Sequence, residues 1–284
     1  MAARKPAPVQ AIWLGYFDTT GVRSIDYLLG DGIVCPEGDE RWYVERIARL
    51  PETFLCYAPR DRDAPLVPPP ALARGYVTFG CCNNIAKVTP EVVALWAAIL
   101  RALPAARICL KTAALDTPGV RERYAALFAA GGVAPERVTL DRGGDYADYL
   151  AGYGEIDIAL DPFPYNGGAT SVEALWMGVP LITLRGERFV GRMGASILTA
   201  AGLDEFIAES PDDYVAKAVA LASDLPRLAA LRAGMRQRLE RSPVCDGARF
   251  ARGLEATYRA MWREWCRTQP APVVAAAALA EDGR

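Results

Sequence analysis

Histidine is absent from all 284 residues. This removes the side chain that most often serves as a general base near neutral pH, every histidine-containing catalytic triad and the commonest metal ligand. Proton transfer then falls to carboxylates, tyrosines, a lysine or the substrate itself. Lysine is scarce as well, occurring only as Lys5, Lys87, Lys111 and Lys217, whereas arginine is abundant. The formal net charge of -2 and the lack of any long Lys/Arg run exclude a nucleic-acid-binding face. The seven cysteines are an odd number with no C-x-x-C pair, which argues against a zinc site or a disulfide framework and for reduced thiols. There is no solenoid repeat, no signal peptide and no apolar run of the ~18 residues that span a bilayer. A soluble cytoplasmic protein without a membrane partner is expected.

What is present is an apolar fraction of 52%, ample for a core. Residues 8–14 (PVQAIWL) read as a buried strand with no earlier strand to pair with, followed by the turn GYFDTTG. A short strand at 26–28, a proline- and acid-rich loop, helical spacing over 41–50 and a short strand at 54–57 come next. The proline-rich, charged stretch 61–74 reads as a linker. From Gly75 the pattern turns regular. Strands at 76–79, 107–110, 138–140, 156–160 and 181–184 alternate with helices at 90–103, 120–130, 146–152 and 170–177. Thr89 is a natural N-cap with Pro90 at the first helical position. Apolar strands alternating with helices imply a parallel sheet covered on both faces, with ligands at the carboxyl ends of its strands. Four helices follow. The last, over 247–267, carries Phe250, Leu254, Tyr258, Met261, Trp262 and Trp265 as one stripe, expected to pack. Residues 269–284 are expected to be a disordered tail.

The stretch 161–184, DPFPYNGGATSVEALWMGVPLITL, organises the rest. A strand runs into a turn ending in Asn166, Gly167 and Gly168, and the glycines open a helix through Ala169 and Thr170. A helix N-terminus offers unpaired N–H groups and partial positive charge, and glycines allow an anion to approach them. The expected guest is a phosphate. Glu173, early in the same helix, suits either a helix cap or a partner for a ribose diol.

The run DIALDPFPYNGGATSVEALWMGVPLITL, with VTFGCCNNIAKVTPEVVALW before it and residues 192–203 after it, resembles the catalytic region of the O-linked N-acetylglucosamine transferase family, glycosyltransferase family 41. The resemblance extends from PAPVQAIWLGY through SPVCD to LEATYRAMWREW. It implies an α/β fold of GT-B type with two Rossmann-like lobes and UDP-GlcNAc as donor, with neither cofactor nor metal. Residues 1–60 would be the remnant of the N-terminal lobe and 75–268 a complete UDP-sugar-binding lobe. By this resemblance Lys87 contacts the diphosphate and stabilises departing UDP, and Asn84 reaches the nucleotide-sugar. Asn166, Gly167, Gly168, Ala169 and Thr170 form the phosphate turn and Glu173 binds the ribose. Gly143, Gly144, Tyr146 and Tyr149 hold the uracil, and Gly15 belongs to a first-lobe loop near the sugar. An ammonium and helix N–H groups suit a metal-free site, because the leaving diphosphate gains negative charge. Where relatives carry His or Thr, this chain has Gly168 and Ala169, and GYFDTTG places Phe17 and Asp18 beside the sugar pocket. The expected reaction is transfer of GlcNAc or a related hexose to a protein Ser/Thr hydroxyl. The alternative is an inactive UDP-sugar-binding fragment completed by a second chain, with residues 1–60 loosely held.

Overall fold

The computed structural model describes residues 1–269, so the expected tail lies, from residue 270 on, outside the described residues. Two parallel sheets organise the chain. The first runs in the order β1 (Ala11–Ile12), β2 (Tyr27–Asp31), β3 (Arg46–Leu50). Every residue of β2 is buried, and a buried strand needs backbone partners on both sides. That demand makes residues 46–50 a strand in register with β2 from Tyr27↔Arg46 to Asp31↔Leu50, correcting the helix expected over 41–50. Only a 3-10 turn, Asp39–Trp42, keeps helical character there.

Two further strand expectations are corrected. Of residues 8–14 only Ala11 and Ile12 pair, at the edge of the sheet, and Leu14 leaves with φ 64°. Residues 54–57 form no strand. The Phe54 N–H donates to Asp31 Oδ2 (2.7 Å) and the Tyr57 N–H to the Val244 carbonyl (2.8 Å), so a side chain and a loop satisfy this backbone.

A short helix α1 (Ala71–Arg74) leads into the second sheet. Its strands are β4 (Thr78–Cys81), β5 (Arg107–Lys111), β6 (Val138–Asp141), β7 (Ile158–Leu160), β8 (Leu181–Leu184) and β9 (Ile207–Ala208), in the spatial order β6-β5-β4-β7-β8-β9. The connecting helices are α2 (Pro90–Ala102), α3 (Val120–Ala130), α4 (Tyr146–Gly152), α5 (Ala169–Trp176) and α6 (Phe189–Ala200). The strand order reverses between β4 and β7, the arrangement that in parallel sheets with right-handed crossovers puts the helices of the two halves on opposite faces. Thr89 caps α2 through its hydroxyl, with Pro90 first in the helix, as expected. Then come α7 (Pro211–Ala222), α8 (Leu225–Glu240) and α9 (Gly247–Thr268), all capped by side chains.

One apolar cluster contains Leu28, Val34, Phe54 and Leu55 together with Phe79, Trp96, Trp176 and Ile182. Leu28, Val34, Phe54 and Leu55 of the first 60 residues thus pack into the core of the second sheet. The stretch 61–74 is pinned down as well. Trp176 Nε1 donates to the Asp61 carbonyl (3.1 Å), the Ala71 N–H to Asp157 Oδ1 (3.0 Å) and Arg232 Nε to the Val67 carbonyl (2.7 Å). Helix α9 returns to cover the first sheet: Phe250, Leu254 and Met261 pack with Val9, Trp13, Tyr27, Leu29 and Leu50. Its stripe does not pack throughout, since Tyr258 and Trp262 remain 46% and 51% exposed. No helix among the described residues is long and apolar enough to cross a membrane.

Candidate functional site

The reversal of strand order between β4 and β7 brings the loops after those two strands side by side at the carboxyl end of the sheet, where open α/β sheets hold ligands. Residues 82–87 and 161–168 meet there. Asp161, fully buried at the end of β7, sets the shape of the turn. Its Oδ1 accepts from the Gly167 N–H (2.7 Å) and Ser171 Oγ (3.3 Å), and its Oδ2 from Thr183 Oγ1 (2.7 Å). Burial pushes this carboxyl up to about 6, against the opposing pull of those donors and of the Lys87 charge. The close packing requires glycine at two positions. A Cβ on Gly167 would lie 2.1 Å from Ser171 Oγ, and one on Gly194 of α6 would lie 2.4 Å from Asp161 Oδ2.

Asn166 is buried and serves the turn itself. Its Nδ2 donates to the Pro162 carbonyl (3.0 Å) and its Oδ1 accepts from the Gly194 N–H (3.3 Å). Its carbonyl accepts from Lys87 Nζ at 2.8 Å. Lys87 ends the 3-10 turn Ile85–Lys87, with its ammonium 4.1 Å from the Tyr165 ring centroid. Burial lowers the Lys87 pKa while Asp161 raises it. A part-buried cation thus stands beside the first turn of α5. Gly168, the N-cap of that helix, supplies no side-chain cap, and with Ala169 it lines an open cleft. The N-terminus of α5 carries partial positive charge at this cleft, and the Lys87 ammonium stands at the Asn166 carbonyl of the turn before it.

Asn84, expected to reach the ligand, is exposed and caps the 3-10 turn, accepting from the Ala86 N–H at 3.0 Å. Its neighbour Asn83 makes the contacts between the two loops. Buried Asn83 accepts from Thr170 Oγ1 (2.9 Å) and lies 3.5 Å from Lys87 Nζ. The resemblance singles out Asn84, and the turn geometry puts Asn83 rather than Asn84 in contact with Thr170 and beside Lys87.

Glu173 is not a helix cap. It is the fifth residue of α5, buried, and accepts from Tyr146 (Oε1, 3.1 Å) and Tyr149 (Oε2, 2.8 Å). Both tyrosines lie on α4, which Asp145 caps. Gly143 and Gly144 form the turn before that cap, Gly143 at φ 75° with its N–H on Asp141 Oδ1 (3.0 Å). Two tyrosines that sequence reasoning passed over complete the group. Tyr153 lies 2.8 Å from the Tyr149 hydroxyl, and Tyr57, from the far side of the 61–74 stretch, stands beside Tyr146.

The cleft at Gly168 has a volume of about 260 Å³ and is otherwise lined by Leu14, Phe17, residues 54–57, Val172 and Met193. Gly15 is exposed and outside this lining. It turns the chain, and its neighbours Leu14 and Phe17 face the cleft. Phe17 packs against Phe54, Tyr165 and Phe189, and Glu45 accepts hydrogen bonds from Thr19 and Thr20, which holds the loop in place. The structure thus brings Gly168, Ala169, Leu14 and Phe17 around one cleft, ties Lys87 to the Asn166 carbonyl at the turn that leads into it, and joins Glu173 to Tyr146 and Tyr149 of α4.

The family model described as glycosyl transferase family 41 matches residues 1–61 and 70–254. A Petunia hybrida protein named "Probable UDP-N-acetylglucosamine--peptide N-acetylglucosaminyltransferase SPINDLY" is 43% identical over 272 residues, covering 94% of this chain and 29% of that protein. A mutant of O-GlcNAc transferase from Thermobaculum terrenum has a similar structure, with a TM-score of 0.85 and 41% identity over 93% of this chain and 50% of the other. Sucrose-phosphate synthase from Thermosynechococcus elongatus, at TM-score 0.56 and 15% identity over 84% of this chain and 59% of the other, shares the fold alone. The chain spans under a third of the length of the curated relatives it matches. With the family model matched along most of its length and a GT-B architecture, the chain belongs to glycosyl transferase family 41.

Proposed function

We propose that the chain binds the donor of a glycosyl transfer, a UDP-linked GlcNAc or related hexose, and serves its transfer to a Ser/Thr hydroxyl of a protein. The observation that carries this reading is the Lys87 ammonium, held 2.8 Å from the Asn166 carbonyl at the uncapped N-terminus of α5. In such a transfer the acceptor oxygen bonds to the anomeric carbon as the bond from that carbon to the β-phosphate oxygen breaks. The electron pair leaves with UDP, so negative charge grows on the diphosphate. Lys87 and the first-turn N–H groups face that charge, and preorganised donors of this kind are commonly worth ~3 kcal/mol each in barrier. In this reading the protein's own groups, Lys87 and the N–H groups of the first turn of α5, supply positive charge to the diphosphate. Glu173 would take the ribose diol and the α4 segment the uracil. Without histidine, the acceptor proton passes to a carboxylate, a phenolate or the donor itself.

A second reading, donor binding without turnover by this chain alone, is favoured by the face formed by β1 and α9. There, among the described residues, β1 pairs on one side only, and Tyr258 and Trp262 stand half-exposed beside Val9 and Ala11. A second chain adding a parallel strand to β1 would cover that face. Incubating the chain with UDP-GlcNAc and a Ser/Thr-rich peptide, followed by mass spectrometry and a parallel donor titration, tests both readings. Glycosylated peptide supports transfer, whereas donor binding without product supports the second reading. Neither binding nor product would remove both.

A further inference from the structure

Four large apolar side chains stand exposed in one region beside the Gly168 cleft: Leu14, Tyr16, Val44 and Trp42, the last at 49%. The Val44 N–H donates to Thr19 Oγ1 (3.1 Å), and Glu45 accepts from Thr19 and Thr20. These bonds tie residues 42–45 to the loop that carries Leu14 and Tyr16. Apolar side chains gathered in this way mark a contact surface, whereas single exposed ones need no explanation.

Two cations complete the patch. The Arg41 and Arg188 guanidiniums lie over the Trp42 ring, 4.9 and 4.8 Å from its centroid. Among the described residues neither forms an ion pair, and three carboxylates of the same stretch are held elsewhere, Asp39 by Arg192, Glu40 by Arg49 and Glu45 by the two threonines. A guanidinium over a ring uses its face there and keeps its N–H edge free for a bidentate carboxylate. Arg188 also places the patch. It is the N-cap of α6 and precedes Phe189, whose ring packs on Phe17 with centroids 5.6 Å apart, and Leu14 and Phe17 line the cleft. The patch therefore adjoins the cleft on its Leu14/Phe17 side.

A polypeptide that delivers a hydroxyl to that cleft lays its flanking residues over the surface next to it. Rings and arginines are the side chains that most often anchor such contacts, and the unpaired charge here is positive. We propose that Arg41, Trp42 and Arg188, with Tyr16 and Val44, form a docking ledge for the acceptor polypeptide, selecting acceptors with Asp or Glu side chains close to the Ser/Thr. This rests on the reading of the cleft as part of a glycosyl-transfer site.

The test is fluorescence anisotropy with two labelled Ser/Thr peptides, one with Glu on both sides of the hydroxyl residue and one with Gln at the same positions. The full chain is compared with the double variant Arg41→Gln, Arg188→Gln, and UDP is titrated into both proteins to report the donor site separately. Both arginines are exposed, so the variant should keep the melting temperature of wild type. Wild type should prefer the Glu peptide by about fivefold, the effect of two exposed ion pairs. The preference should fall below about twofold in the variant, and should fade for wild type in high salt. Equal affinity of wild type for the two peptides, no binding of the Glu peptide, or a preference that survives in the folded variant would overturn the ledge and leave the donor-site reading standing. Absence of UDP binding by folded wild type would remove the donor-site reading, and with it the ledge as an acceptor site.

Discussion

Lys87 and Asn166 are 79 residues apart in sequence, and their side-chain ammonium and main-chain carbonyl meet at 2.8 Å. The contact ties the loop after β4 to the loop after β7 across the point where the strand order reverses. It also gives a scarce lysine a fixed position at a helix N-terminus. A cation held there by a main-chain acceptor, with an aromatic ring beneath it, is preorganised for an anion and needs little rearrangement to meet one.

The attachment of the 61–74 stretch is tested by Arg232. This buried guanidinium donates to the Val67, Ile156 and Tyr153 carbonyls at 2.7, 2.6 and 3.0 Å. Arg232→Met keeps the stem and strands three carbonyls, at ~1–3 kcal/mol for each buried unsatisfied group. Urea unfolding should show a loss of about 3 kcal/mol or more, and limited proteolysis should cut faster within 61–74. A variant with wild-type stability would mean that the stretch is held by packing alone.

Asp161 predicts a pH dependence of stability. Its carboxyl is raised from 3.8 to about 6 in the folded protein, so between those values the folded state keeps a proton that the unfolded state has lost. The stabilisation is full below pH 3.8 and is lost as pH rises through 6, an effect on the order of 3 kcal/mol. Asp161→Asn cannot titrate. The stability of wild type minus that of Asp161→Asn should fall between pH 4 and 7 by this order, measured by denaturant unfolding at each pH. A difference that stays flat with pH would place the carboxyl elsewhere on the scale.

The legible part of the site was local. The NGG turn, the helix that follows it and the strands on either side are written in glycine, proline and apolar runs within a short window, and they stand within a residue or two of where the sequence puts them. What stayed hidden depends on partners distant in sequence. Residues 46–50 are a strand because β2 needs a neighbour, and no local periodicity records that need. That Asn83 is the asparagine bonded to Thr170 follows from where Thr170 ends up. Tyr57 reads as the end of a short strand until α4 is placed beside it. The α9 stripe reads as uniformly apolar, yet the first sheet covers only part of it and leaves Tyr258 and Trp262 in solvent.

The exposed part of that stripe gives a third test. Trp262 is 51% exposed and, among the described residues, stacks only on Trp265 of its own helix, at 4.8 Å between ring centroids. Trp262→Ser should change stability by less than about 1 kcal/mol and reduce binding of a hydrophobic dye to the folded chain. A large loss of stability would show that the ring is covered in solution.

Thr170 separates the two partners of Asn83. Its hydroxyl donates to Asn83 Oδ1 at 2.9 Å, and this ties the helix N-terminus to the Lys87 loop. Thr170→Val keeps the shape and removes the donor, so UDP affinity should fall by about threefold to tenfold with melting temperature nearly unchanged. Equal affinity for UDP would show that the two loops hold their spacing without this bond.

The central claim is that the opening at the β4–β7 reversal is a diphosphate site whose charge comes from Lys87 and the N-terminus of α5. Calorimetric titration of UDP into the chain and into Lys87→Met tests it most directly. The account predicts one saturable site in wild type and a weakening of about tenfold or more in a Lys87→Met protein whose melting temperature is unchanged. No binding by folded wild type, or equal affinity in the folded variant, would contradict it.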